Sequence, residues 1–192
     1  EWSTPVQVSQ GGYNREADFC IDNIGNIHCV YSRKYTDYYY KIYNTKSEDG
    51  GQSWSKPEDV FNNDTMWIDQ PNIAVDTSNA VYVTCTYDIY NSNHTFIALT
   101  KRTKEGWHSH ENISENMFGS RSNKIAIDNN NRLYVFWYKN ESFYFKYLEN
   151  GYWSEIICPY DNNNYHGLTK LKIDSSNNLH CLGSFHFDGQ SH

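Results

Sequence analysis

Arg15, Asp69, Arg121 and Gly167 each stand seven residues ahead of an aspartate that closes an apolar run, namely Asp22, Asp76, Asp128 and Asp174. Beside them lie Glu16, Gln70, Ser122 and His166. Guanidinium, carboxyl, amide and imidazole groups at one phase form a set able to grip a polar ligand. A guanidinium presents a planar fork that pairs bidentately with a carboxylate. A carboxyl whose pKa is lifted by burial can serve as a general acid. Such groups act together only if the fold brings them around one cavity.

The elements that would do so repeat along the chain. Trp2, Trp54, Trp107 and Trp153 are spaced by 52, 53 and 46 residues. About twenty residues after each comes F-C-I-D, I-A-V-D, I-A-I-D or L-K-I-D. Three positions beyond each Asp stands Gly25, Asn79, Asn131 or Asn177, residue types that tolerate a left-handed turn. A second alternating run follows: I-H-C-V-Y, V-Y-V-T-C, L-Y-V-F-W or L-H-C-L-G. In three repeats a third run comes next, and the following Trp opens a fourth. Four short antiparallel strands per period are what a β-propeller blade requires. The expected fold is all-β, about three complete blades plus parts of another from a larger ring. Residues 1–10 supply the outer strand of a preceding blade, 11–60, 61–114 and 115–160 form blades, and 161–192 form an incomplete one.

Composition agrees with this architecture and excludes several functions. Aromatics make up 17% of the 192 residues, with seventeen tyrosines, which suits a pleated surface better than long helices. Sixteen basic against twenty-three acidic residues give a net charge of −7, with no basic run to neutralise a phosphate backbone, so nucleic acid is not expected. No stretch reaches the length of a membrane span. The opening E-W-S-T-P lacks a signal peptide's apolar core, as in a mature secreted chain or an excised piece.

The stretch S-E-D-G-G-Q-S-W matches S-x-D-x-G-x-x-W through Ser47, Asp49, Gly51 and Trp54. With the D-x-x-[GN] hairpins, it resembles the BNR/Asp-box repeat proteins of the sialidase superfamily. The resemblance implies a structural role for the box, between third and fourth strands and away from the central pocket. It also implies an extracellular or cell-surface setting and, in an enzyme of this type, three arginines clamping a carboxylate. Arg15 and Arg121 match two of these, without the I-P that follows the first arginine in the family, and Asp69 matches the acid. No position matches the third arginine or the Tyr/Glu nucleophile pair. Recognition of a carbohydrate through Arg15, Glu16, Asp69, Gln70, Arg121 and His166 is therefore the leading expectation. A sialidase-like glycoside hydrolase is the alternative, and a propeller scaffold binding further blades or another copy of the chain is the second.

Other features are assigned smaller roles. Tyr38, Tyr39, Tyr40, Tyr43, Tyr87 and Tyr90 cluster near second-to-third-strand connections and could stack on sugar rings, although most strand tyrosines pack. Cys29 and Cys181 share a phase with Val83 and Val135 and are expected to be buried. Cys20 and Cys29 are expected to face each other across the first hairpin, which would allow a strained disulfide. His108 and His110 lack the companions of a zinc site. No cofactor is expected; the turn I-D-N-N-N-R offers oxygen ligands for Ca²⁺ but reads first as a hydrogen-bonded turn. Asn63, Asn93, Asn112 and Asn140 open N-x-[ST] triplets, which matter only in a eukaryotic secretory pathway.

Overall fold

The computed structural model describes residues 4–36, 39–61, 67–89, 94–159 and 165–185, and of 89, 165–169, 184 and 185 it describes the backbone. The first blade comprises β1 (Asn14–Ile21), β2 (Ile27–Lys34), β3 (Tyr40–Ser47) and β4 (Glu58–Asp59), antiparallel and in sequence order. The second comprises β5 (Trp67–Val75), β6 (Val81–Ile89), β7 (His94–Thr103) and β8 (Gly106–Trp107), with β9 (Glu111–Asn112) also on β7. The third comprises β10 (Arg121–Ile127), β11 (Leu133–Lys139), β12 (Ser142–Glu149) and β13 (Tyr152–Trp153). Two strands, β14 (Tyr165–Ile173) and β15 (Leu179–Phe185), form the fourth sheet. The first strands pack side by side in the order β1, β5, β10, β14. The result is a partial β-propeller.

Alternation along the second strands explains why the blades stack. Successive side chains point to opposite faces, so Val83 and Cys85 join Val30 and Ile42 of the first blade. Tyr82 instead joins Ile125, Val135 and Trp137 of the third. Phe136 and Tyr138 in turn meet Leu171 of the fourth sheet. The core is thus a series of apolar layers between blades, with Trp137 fully buried in the middle one.

Each hairpin is built by its aspartate. Asp22 Oδ1 accepts from the backbone N–H of Ile24 (3.1 Å) and Asn26 (2.8 Å), and Asp76, Asp128 and Asp174 repeat the pattern. The turn in I-D-N-N-N-R therefore spends Asp128 Oδ1 on its own backbone. Asn79, Asn131 and Asn177 take φ of 64°, 63° and 65°, which aims their side chains at the preceding blade. Asn79 Oδ1 accepts from Asn23 N (3.0 Å), Asn131 Oδ1 from Thr77 N (2.8 Å) and Asn177 Oδ1 from Asn129 N (3.0 Å). One residue type at one turn position latches each pair of blades.

The S-E-D-G-G-Q-S-W turn joins the third strand to the Trp54 segment. Ser47 Oγ donates to Asp49 Oδ1 (2.8 Å) and accepts from Gly51 N (2.8 Å), while Asp49 accepts from Ser53 N (2.9 Å) and Ser53 Oγ (2.5 Å). These bonds from Ser53 and Ser47 hold the Asp49 carboxyl down at about 2. The Ser47 and Asp49 side chains are thus spent on the loop itself. Gly51 has φ of 92°, and a Cβ there would meet nothing nearer than Ile27 Cδ1 at 3.8 Å, so only backbone strain opposes a side chain. Gly51→Ala should therefore cost about 1–2 kcal/mol, a melting temperature lower by roughly 3–6 °C in a thermal scan.

Thr4–Gln10 are not in a strand among the described residues, and Arg33 donates to the Gln10 carbonyl (2.8 Å). Two expectations, both on cysteines, are corrected. Cys20 pairs with His28, and Cys29 with Phe19, so the two thiols project from opposite faces of the hairpin and both are free. Cys29 is buried, but Cys181 is exposed, since no further described sheet covers β15.

Candidate functional site

Arg15, Asp69, Arg121 and Gly167 occupy one register. They pair with Ser32, Thr86, Tyr138 and Ser184 at the start of the first strand of each sheet. Immediately after the first three the ladder slips, and Glu16, Gln70 and Ser122 adopt φ of 48°, 53° and 54°. A left-handed bulge in three non-glycine residues is costly. The reason lies in where it sends the peptide N–H. Gln70 N donates to Glu16 Oε2 (3.0 Å), and Ser122 N donates to Gln70 Oε1 (3.0 Å). Each bulge thus donates to the side chain at the same place in the preceding blade. Gln70 is largely consumed by this ladder: its Oε1 also accepts from Thr86 Oγ1 (3.0 Å) and its carbonyl from Asn72 and Asn123 (3.0 Å each).

The bulges assemble a charged group between the first two blades. Arg15 Nη2 donates to Asp69 Oδ2 in a short ion pair. Asp69 Oδ1 shares the Gln70 N–H (3.0 Å) with Glu16, and it also accepts from the buried Ser32 hydroxyl (3.3 Å). Two carboxyls converging on one donor cannot both ionise cheaply. The Glu16 carboxyl is accordingly raised to about 7 by its hydrogen bond to Asp69, by burial and by the Asp69 charge. The Arg15 guanidinium carbon lies 3.9 Å from the Tyr40 ring centre and 5.9 Å from that of Trp67. Tyr40 and Trp67 are 5.4 Å apart at 39°, and the Trp67 indole donates weakly to Asp69 Oδ2 (3.5 Å). Trp67 remains 43% exposed. A fixed indole thus stands in solvent beside an ion pair and a carboxyl whose pKa is raised.

Arg121 has the same register as Arg15 but a different fate. The position that supplies Asp69 to Arg15 is Gly167 in the fourth sheet, so Arg121 has no ion-pair partner among the described residues and lies 5.9 Å from the Tyr138 ring. It opens instead into a cleft between the second and third blades. The inner strands border a second hollow of about 780 Å³ along the axis, where several polar groups are engaged. Asp18 Oδ2 accepts from Ile73 N (3.1 Å), and Lys124 donates to Asn72 Oδ1 (3.1 Å) and the Asn123 carbonyl (2.9 Å). The His166 side chain lies outside the described residues.

The tyrosine cluster divides. Tyr38 and Tyr90 lie outside the described residues. Tyr43 stacks on Tyr31 under Arg33, and Tyr87 is buried against Phe96. Tyr40 is the member shown to join the site among the described residues. Trp67 was missed by sequence reasoning although a signal existed: it is out of phase with Trp54, Trp107 and Trp153 and stands two residues before Asp69.

No family model and no curated protein sequence matches the chain. Solved structures do. The NanB sialidase from Streptococcus pneumoniae superimposes with a TM-score of 0.64 at 11% identity, over 94% of this chain and 52% of that one. A protein of unknown function from Dyadobacter fermentans gives 0.61 at 11% identity, over 78% and 43%. The GH93 α-L-arabinofuranosidase of Fusarium graminearum, solved with arabinobiose, gives 0.58 at 13% identity, over 81% and 53%. The likeness is one of fold, a sialidase-like propeller, and the chain spans about half the length of these structures. Among the described residues no helix is long and apolar enough to cross a membrane.

Proposed function

We propose that the junction of the first two blades is a carbohydrate-recognition site, placed outside the cell or on its surface. One observation carries the reading: an exposed indole, fixed by Tyr40 and Arg15, lies beside a row of hydrogen-bonding groups. The C–H face of a sugar ring packs on an aromatic face, and its hydroxyls require donors and acceptors around the edge. Trp67 and Tyr40 supply the face. Arg15, Glu16 and Asp69 supply the edge, held rigid by the ladder of bulges.

The hydrolase alternative draws on the Glu16 carboxyl, whose pKa is raised to about 7. Its geometry is less favourable. Glycosidases hold two carboxyls about 5–9.5 Å apart, with the scissile bond and water or nucleophile between them, whereas Glu16 and Asp69 converge on the one Gln70 N–H. Asp69 is moreover held by Arg15, which leaves neither group of that pair free to act as the other's counterpart. Recognition is the better fit.

A glycan array probed with the chain and with Trp67→Ala tests this. Selective binding lost in the variant, by tenfold or more in affinity, is the expected outcome. Release of monosaccharide from the bound glycan would shift the assignment to the hydrolase, and absence of any bound glycan together with self-association would shift it to the scaffold.

A further inference from the structure

We infer that the cleft between the second and third blades is a second subsite, selective for an uncharged sugar ring, so that the ligand is a neutral oligosaccharide of at least two residues. This rests on the carbohydrate reading of the neighbouring junction. The cleft holds about 670 Å³ and is continuous with that junction, because Trp67, Asp69 and Gln70 line both. That volume lies within the range of small-molecule pockets, about 300–1,000 Å³.

Two of its polar groups, Arg121 and Asp88, keep uncommitted atoms among the described residues and are of opposite sign. Arg121 brings unpaired guanidinium donors among the described residues. On the same cleft, Asp88 Oδ1 is shielded from water and has no hydrogen-bond partner among the described residues. A shielded acceptor left alone costs free energy, and it is the atom a ligand donor would satisfy. Glu141 completes the rim on a two-residue turn in which Asn140 and Glu141 take φ of 46° and 61°, a strained pair that fixes its place.

These charges select the ligand. A carboxylate drawn to Arg121 would face Asp88 and Glu141, with Asp69 already neutralised by Arg15. A cation would satisfy the two acids but offer nothing to the Arg121 donors. A hydroxyl both donates and accepts, so neighbouring sugar hydroxyls can donate to Asp88 and accept from Arg121 at once. With Trp67 shared, a second ring in the cleft is one link away from a ring at the junction.

The test measures affinities of the chain, Asp88→Asn and Arg121→Gln for arabinose and arabinobiose, mannose and β-1,2-mannobiose, and galactose, lactose and 3′-sialyllactose. The expected result is tighter binding of a neutral disaccharide than of its monosaccharide, with that ratio falling about tenfold in each variant. Asp88→Asn should also melt no lower than the wild type, since burial disfavours this charge more than His94 favours it and its Oδ1 has no hydrogen-bond partner among the described residues. Equal affinity for disaccharide and monosaccharide, or preference for 3′-sialyllactose, overturns the second subsite while leaving the junction intact. Loss of every sugar, wild type included, removes both. A melting point well below wild type in Asp88→Asn would show a structural role and overturn the assignment of Asp88.

Discussion

Asn123→Ala is expected to destabilise the chain by about 3 kcal/mol or more, a fall in melting temperature of roughly 6–12 °C. Asn123 is fully buried and joins the second blade to the third. Its amide donates to the Gln70 carbonyl (3.0 Å) and to Thr86 Oγ1 (3.3 Å), and its Oδ1 accepts from Thr84 Oγ1 (2.6 Å) and from Asn72 Nδ2 (3.1 Å). Alanine removes all four bonds at once. It leaves the Thr84 hydroxyl, which is fully buried, without its acceptor, and weakens the hold on Asn72 and Gln70. Each stranded buried group costs about 1–3 kcal/mol, so the sum exceeds what truncating an exposed asparagine would do. A loss below about 1 kcal/mol would mean that the network does not hold the blades.

Asp69→Ala is expected to weaken glycan binding by about a hundredfold and to erase a pH dependence. The carboxylate is the anchor on which Arg15, the Gln70 N–H and the Ser32 hydroxyl converge. Without it the guanidinium loses its position over Tyr40 and Trp67. Losing one charge-assisted bond costs about 1.5–3 kcal/mol; a ligand that depends on both Arg15 and Asp69 loses more than one.

The pH effect has a definite sign. The folded Glu16 carboxyl is raised to about 7 from 4.5, so the folded chain holds this proton more tightly than the unfolded chain does. The stability it contributes is fully present below the unfolded pKa and is lost as pH rises through about 7. Glu16 is exposed, so solvent screening leaves on the order of 1 kcal/mol of the effect. Urea unfolding from about pH 5 to pH 8 should show this decline in the wild type and not in Asp69→Ala or Glu16→Gln. An equal slope in all three would remove the shared-proton description of the pair.

The parts of this molecule that a sequence reveals are those written by local chemistry. Asp22, Asp76, Asp128 and Asp174 bond to the backbone two and four residues on. A turn of that kind sets the register of its hairpin, which is why counting back seven positions reaches equivalent residues. What stayed hidden depends on contacts between distant residues. Nothing in Glu16 or Gln70 announces a positive φ, because the bulge is stabilised by a neighbour 54 positions away. The pairing of Arg15 with Asp69 follows from the aspartate at that register in the next sheet, and the lack of a partner for Arg121 among the described residues from the glycine that stands there in the fourth. Cys20 and Cys29 were placed opposite each other because a one-residue shift in pairing, which reverses the face, leaves no trace in composition. Asp88 is unremarkable in sequence and gains its interest only from the burial of one oxygen.

The most direct measurement of the central claim follows the Trp67 indole N–H in ¹⁵N-labelled chain during titration with whichever array glycan binds. The account predicts that this resonance and the Arg15 side-chain resonances move together and saturate with the affinity measured on the array. Saturable binding that leaves Trp67 unmoved, with shifts instead at the Tyr31 and Tyr43 face of the first blade, would contradict it.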